Sequence, residues 1–363
     1  MDGQKGLVPQ RRFGAWSDIP PELLERVVEV LGPRNRVAVR LVCASWRACV
    51  RQGFPSESPF DVPRLLFRRP GPGGDLAFFS LRSRKILPFA LPARISAGRC
   101  CGHVAGWLAM ALDSDRAVVL CNPVSGQSVG LPPPPFFPVS KVILSAPPTS
   151  PGWVAAVLGR TGMIALLQPS VSGAWRIMAG GLDHGSFKDM AFWRGHLCGL
   201  CHDGAILDFG GELGARAAPA SLLRDPGQMQ VGAAHGAAWQ LYLVESDGEL
   251  LLVRKLYNVW ANAVQVEVHL LVSPEQLKWG VVETMPGRAL VVGKVVSDMV
   301  LVELYEGAAA LRESCVYFAR REVEMLAPHA ICEYSLLDGK TASVPIAGGH
   351  SADVEPVWIT PFV

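Results

Sequence analysis

Residues 196–202 read HLCGLCH, two cysteines three apart with a histidine at each end. Spelled as C-x-x-C-H, the stretch matches covalent c-type haem attachment, and its side chains are also the types that bind zinc. Cys100, Cys101 and His103 offer further ligands of the same kind. A second stretch, GQSVG at 126–130, has the spacing of the hydrolase nucleophile elbow, where a sharp strand-to-helix turn lifts a serine. Whether any of these does chemistry depends on the elements that carry them.

The chain of 363 residues is 50% hydrophobic and 18% charged, enough apolar material for a large core. No apolar run reaches the length of a membrane span; the longest candidate, Trp153 to Leu167, is broken by Arg160. The opening MDGQKGLVPQRRFG lacks the apolar stretch of a secretory leader, so a chain of the cytoplasm and/or nucleus is expected. In that reducing setting nine scattered cysteines read as free thiols packed like small hydrophobes. Residues 1–52 hold nine Lys/Arg against five Asp/Glu, and the remainder 25 against 27, so neither part has the dense basic stripe of a nucleic-acid binder.

Two periods divide the chain. In the first 52 residues, Ser17 or Asp18 is placed to cap a helix, Pro20 and Pro21 suit its first turn, and Glu22 complements its dipole. Leu23, Val27, Val30 and Leu31 recur at helical spacing, Leu24 and Val28 flank them, and Gly32-Pro33 stops the pattern. Asn35 opens a second helix bearing Val37, Leu41 and Val42, and a short third one surrounds Trp46 and Val50. Three helices this small cannot bury all their apolar faces unaided. Residues 53–63, rich in Pro, Ser and Gly, read as a linker.

From residue 64 onward short apolar or alternating runs are separated by turn signals, the pattern of hairpins. The clearest turns fall at Gly126, Gly162, Gly204, Gly248 and Gly339, with spacings of 36, 42, 44 and 91 residues. Taking the last gap as two periods adds a weaker unit near Gly293, and one period back from Gly126 adds another near Ser83. A repeat of about 40–45 residues built of short strands is the signature of a β-propeller. Seven turns predict seven blades, with six or eight open; an irregular β-sandwich or barrel pair is the alternative. Closing the ring requires the terminal PVWITPFV to pair with the first propeller strand, around Leu65–Phe67.

That scaffold answers the opening question. Aligning the hairpins at Asp203-Gly204 and Asp247-Gly248 sets Cys198 opposite Tyr242 and Cys201 opposite Glu245, so the slot works without cysteine. Residues three apart on a strand face opposite sides, so Cys198 and Cys201 grip a metal jointly only if Gly199 supplies a bulge. After Ser128 comes LPPPPFFP, and prolines do not open a regular helix there, so the elbow fails. The run Pro132–Pro138 reads as a connection between strands, its other use being an extended ligand for an aromatic groove. Neither cofactor nor metal nor catalytic residue is expected.

The N-terminal stretch W-S-D-I-P-P-E-L-L-x16-L-V-C-A-S-W-R, with Trp16 and Trp46 thirty residues apart, closely resembles an F-box. The segments LVESDGELLLVRKL (243–256), CVYFAR (315–320) and PVWITPFV resemble the β-propeller domain joined to F-boxes in a large plant family long catalogued as a domain of unknown function. Two positions depart from the pattern, Asn35 within the F-box and Ala319-Arg320 after CVYF. The resemblance implies a small all-α F-box over 1–52, a linker over 53–63 and an all-β propeller over 64–363. It further implies docking on a Skp1-like adaptor, and through it a cullin, as the substrate receptor of an SCF-type ubiquitin ligase with a protein substrate. By the same carry-over Ile19, Pro20, Leu23, Leu24, Val27, Val28, Val39, Val42, Cys43 and Trp46 face the adaptor or form the F-box core. Leu24 is taken as the position where a charge would abolish docking. A non-ligase scaffold and a propeller enzyme are the competing readings.

Overall fold

The computed structural model describes residues 19–30, 46, 63–69, 74–81, 84–123, 125–178, 186–210, 221–222, 237–258, 263–273, 278–302, 311–320, 330–346 and 356–360. The chain divides into two compact units, Met1–Asp61 with Phe362–Val363, and Val62–Pro361. The first contains helix α1 (Pro21–Val30). Leu23 N and Leu24 N both donate to Pro20 O at 3.1 Å, so Pro20 opens the helix and Pro21 occupies the first turn, where its missing N–H costs nothing. The caps proposed at Ser17 or Asp18 and the second helix lie outside the described residues, and of the third only Trp46, helical and buried, is described.

The second unit is a propeller. Among the described residues it has six sheets, each a blade. Blade 1 orders β25 (Val357–Ile359), β1 (Arg64–Arg68), β2 (Leu76–Ser80) and β3 (Lys85–Pro88). A short helix, α2 (Ala93–Ser96), leads into blade 2: β4 (Arg99–Val104), β5 (Trp107–Leu112), β6 (Ala117–Cys121) and β7 (Ser128–Gly130). Blade 3 holds β8 (Val139–Leu144), β9 (Ala155–Gly159), β10 (Ile164–Leu167) and β11 (Trp175–Met178). Blade 4 holds β12 (Phe187–Trp193), β13 (His196–Cys201), β14 (Ile206–Asp208) and β15 (Ser221–Leu222). Blade 5 has the long strands β16 (Ala237–Ser246), β17 (Glu249–Asn258) and β18 (Ala263–Ser273), then β19 (Lys278–Val281). Blade 6 has five strands in the order β21 (Asp298–Leu301), β20 (Arg288–Val292), β22 (Cys315–Arg320), β23 (Ala330–Ser335) and β24 (Thr341–Pro345).

Neighbouring blades meet through β25, β4, β8, β12, β16 and β21, which line the centre of the ring. Middle strands such as β2, β5, β9 and β10 are buried at every position, because blades cover both of their faces. One apolar cluster fills the space between blades 2 and 3, another between 3 and 4, a third between 4 and 5 and a fourth between 5 and 6. The inner strands approach closely: a Cβ on Gly102 of β4 would stand 2.2 Å from Val142 O of β8, so only glycine fits there.

The ring closes as the sequence requires. β25 pairs with β1 in antiparallel register, Leu65 opposite Trp358 and Leu66 opposite Val357, and Trp358 Nε1 donates to Val292 O of blade 6 at 3.1 Å. The expected seven blades are corrected to six. Every turn assigned from the sequence joins two paired strands, but those at Gly293 and Gly339 belong to one sheet. The hairpin β20–β21 is added on the inner side of blade 6, and β20 runs parallel to β22. Turn counting overcounts because nothing local separates a hairpin that starts a blade from one that widens it.

Candidate functional site

Cys198 pairs with Ala191 and Asp208 in the ladder, and its side chain lies in the cluster between blades 4 and 5. Cys201 lies in the cluster between blades 3 and 4, on the opposite face. Burial pushes the Cys201 thiol up to about 12, Asp203 adding to it, and raises Cys198 further, Asp208 adding to it, so neither is poised as a thiolate ligand or nucleophile. Gly199 supplies no bulge: it stays in register opposite Met190 and Leu207, and glycine is needed because a Cβ there would meet the Phe187 ring at 2.7 Å. The irregularity falls on the partner strand instead, between Phe187 and Asp189. His196 Nδ1 is held by both Asp208 carboxylate oxygens, at 2.9 and 3.1 Å, and His202 is exposed at the hairpin turn. Among the described residues no group of three or more His, Cys, Asp or Glu is arranged to hold a metal ion.

The alignment of Cys198 with Tyr242 does not hold. The turn at Gly204 joins the second and third strands of blade 4, whereas that at Gly248 joins the first and second of blade 5. Cys100 and Cys101 are buried with raised thiols, and burial lowers His103 to about 4 with its Nε2 unpaired. Ser128 is an exposed residue of β7, and 131–138 crosses to β8 without a helix. Trp175 Nε1 donates to Pro132 O at 2.9 Å and Arg116 lies over Phe137 at 5.8 Å, which ties the proline run to blades 2 and 3.

Of the F-box residues, α1 separates two sets. Leu23 and Val27, four apart and therefore on one side, are 57% and 45% exposed, with Pro20 exposed beside them and Ile19 half-buried. Leu24 is 2% exposed and Trp46 is buried. A charge placed at Leu24 would enter a buried site of the chain, so the exposed Leu23 makes the cleaner docking probe. The side chain of Val28, and Val39, Val42 and Cys43 altogether, lie outside the described residues.

Sequence reading missed a buried charge cluster at the ring centre. Asp189 of β12 accepts from Lys141 Nζ of β8 at 2.5 Å, from Met190 N at 2.8 Å and from Leu243 N of β16 at 2.9 Å. Both side chains are nearly inaccessible, 5% and 2% exposed, and the carboxylate thereby ties the inner strands of three successive blades. The legible signal was a charge within each of two largely apolar strands, Lys141 in VSKVIL and Asp189 in FKDMAFW, the neighbouring Lys188 being exposed.

Comparison with known proteins follows the same division. The F-box domain family matches residues 16–52 and the KIB1-4 beta-propeller family matches residues 78–335. No curated protein matches. Among solved structures, a chain of a nidogen/laminin complex is 9% identical with TM-score 0.42, over 79% of this chain and 95% of that one. The RRP9 WD40 repeats are 11% identical with TM-score 0.36, over 72% and 66%, and streptogramin B lyase 11% identical with TM-score 0.35, over 69% and 68%. These likenesses are too distant to carry function. The propeller match covers most of the sequence, and with the six-bladed ring just described the chain belongs to the KIB1-4 beta-propeller family, with an F-box at its N-terminal side.

Proposed function

We propose that the chain is the substrate-recognition subunit of an SCF-type ubiquitin ligase, its F-box docking on a Skp1-like adaptor, and through it a cullin, while the propeller holds a protein target. The observation that carries this reading is the F-box match over 16–52 on a helix that exposes Leu23 and Val27 side by side. Apolar side chains grouped on a surface mark an interaction site. Such a receptor makes and breaks no bonds; it raises the local concentration of its target near a ubiquitin-loaded enzyme. The reading therefore assigns no cofactor, metal, nucleic acid or membrane, and it places the chain in the cytoplasm and/or nucleus.

A pull-down with Skp1 tests it. Leu23→Asp should abolish adaptor capture, because a charge desolvated at an interface without a partner costs several kcal/mol. Lys340→Ala, on an exposed turn of blade 6, should leave capture unchanged. Undiminished capture by Leu23→Asp with an unaltered thermal melt would overturn the docking assignment. Capture of the adaptor without cullin would turn the reading into a scaffold.

A further inference from the structure

The apolar cluster between blades 2 and 3 reaches the surface. The crossing 131–138 runs over it with Pro133, Pro135 and Pro138 exposed, and Phe136 and Phe137 are half-buried against it. The Phe136 ring fills the space beside Gly159, where a Cβ would stand 2.6 Å from it, and Gly159 N donates to Met163 O at 2.9 Å, which sets Met163 at the same spot. Ile177 lies opposite Ala165, a member of the cluster, and Met163 is two residues before Ala165, so both side chains take that face. Met163 is 42% exposed and Ile177 50%. Apolar side chains grouped on a surface in this way mark an interaction site.

The face is held in place before any partner arrives. Trp175 Nε1 donates to Pro132 O at 2.9 Å and Arg160 N donates to Pro138 O at 3.1 Å, so both ends of the crossing are tied. Prolines offer no N–H, and apolar contact must supply most of the binding. Charge then selects the partner. The Arg116 guanidinium stands 5.8 Å from the centroid of the Phe137 ring and Arg160 leaves from the end of the crossing; both are exposed, and among the described residues neither has an ion-pair partner. Of the acidic residues in the turn of Arg116, Asp115 is held by Arg94 at 2.6 Å, which leaves Asp113. Two guanidiniums against one carboxylate favour an acidic segment and disfavour a basic one.

We propose that the face formed by the crossing 131–138, Met163 and Ile177 docks a protein segment in which a large apolar side chain is flanked by Asp or Glu. The apolar side chain covers Phe136, Met163 and Ile177, and the flanking carboxylates pair with Arg116 and Arg160. That the segment belongs to a ligase substrate rests on the reading above; the face itself does not.

Random peptides displayed on phage, selected against the full chain, test the proposal. The enriched sequences should carry Asp or Glu next to Leu, Ile, Phe or Trp. Binding of the best peptide should weaken about tenfold in Met163→Asp and in Ile177→Asp, where a charge replaces apolar contact. Arg160→Glu should weaken it about fivefold, since it turns an attraction at the rim into a repulsion. Leu337→Asp, which changes an exposed apolar residue in the turn between β23 and β24, should leave it unchanged. Every substituted side chain already stands in water, and Arg160→Glu still decides the matter if either apolar variant loses its parental melt. No enrichment, enrichment without acidic residues, or undiminished binding by Arg160→Glu would each overturn the proposal. A Met163→Asp change that instead dissolves a dimer of the chain would assign the face to a second copy and overturn it too. No readout involves Skp1, so failure here and failure of adaptor docking are told apart.

Discussion

The ring is held in different ways at its middle and at its seam. Across blades 3 to 5, Asp189 gathers Lys141, Met190 N and Leu243 N in a buried polar knot. At the seam between blades 6 and 1 the tie is a large apolar side chain, Trp358, fully buried and anchored by one indole hydrogen bond to Val292 O. A buried ion pair is specific but costs desolvation energy, and replacing the whole pair by apolar groups is often neutral. An indole contributes area instead, and loses little when only its N–H is removed. The middle of the ring should therefore be fragile to single substitutions and tolerant of paired ones, while the seam should respond in proportion to the volume removed.

The largest effect is expected from Asp189→Ala. It strands Lys141 in a dry site and orphans two backbone N–H groups, which predicts a loss of about 5 kcal/mol in denaturant unfolding. The double variant Lys141→Met with Asp189→Leu should recover most of that loss; no recovery would mean that the knot stabilises beyond its own charges. Next comes Trp358→Ala, for which the cavity left at the seam predicts about 4 kcal/mol. If it melted like the parent chain, closure through β25 would not hold the ring.

A third junction is sensitive to pH. His103 on β4 has its folded pKa lowered by burial to about 4, from 6.5 in the unfolded chain. The unfolded chain therefore takes up the proton first, and stability falls as pH drops from 6.5 toward 4, by roughly 3 kcal/mol in full. Stability curves of the parent and His103→Gln should diverge in that window; parallel curves would remove His103 from the account. The smallest effect belongs to Trp358→Phe, which keeps most of the seam's area and loses one hydrogen bond, about 1 kcal/mol.

Much of this architecture was legible in local patterning. The turns at Gly126, Gly162, Gly204, Gly248, Gly293 and Gly339 all lie between paired strands, because hairpins need chemistry that a few residues encode. The closing pairing was legible too, since a ring closes when a strand from the end of the chain completes the blade begun by the first propeller strand. The candidate site was less so. Helical spacing puts Leu23 beside Val27, yet spacing alone did not tell which of Leu23 and Leu24 faces outward.

By itself the sequence determined the change from helical to strand periodicity, the hairpins, and the alternation that sets Cys198 and Cys201 on opposite faces of a regular strand. Only the tertiary structure decided that six blades close the ring, that Lys141 and Asp189 meet, and that the crossing 131–138 shares one exposed face with Met163 and Ile177. The reason is range. Period, turn type and the face a residue takes arise from neighbours along the chain. Which hairpin joins which sheet, and which lone charge finds its partner 48 residues away, is fixed when the blades pack together.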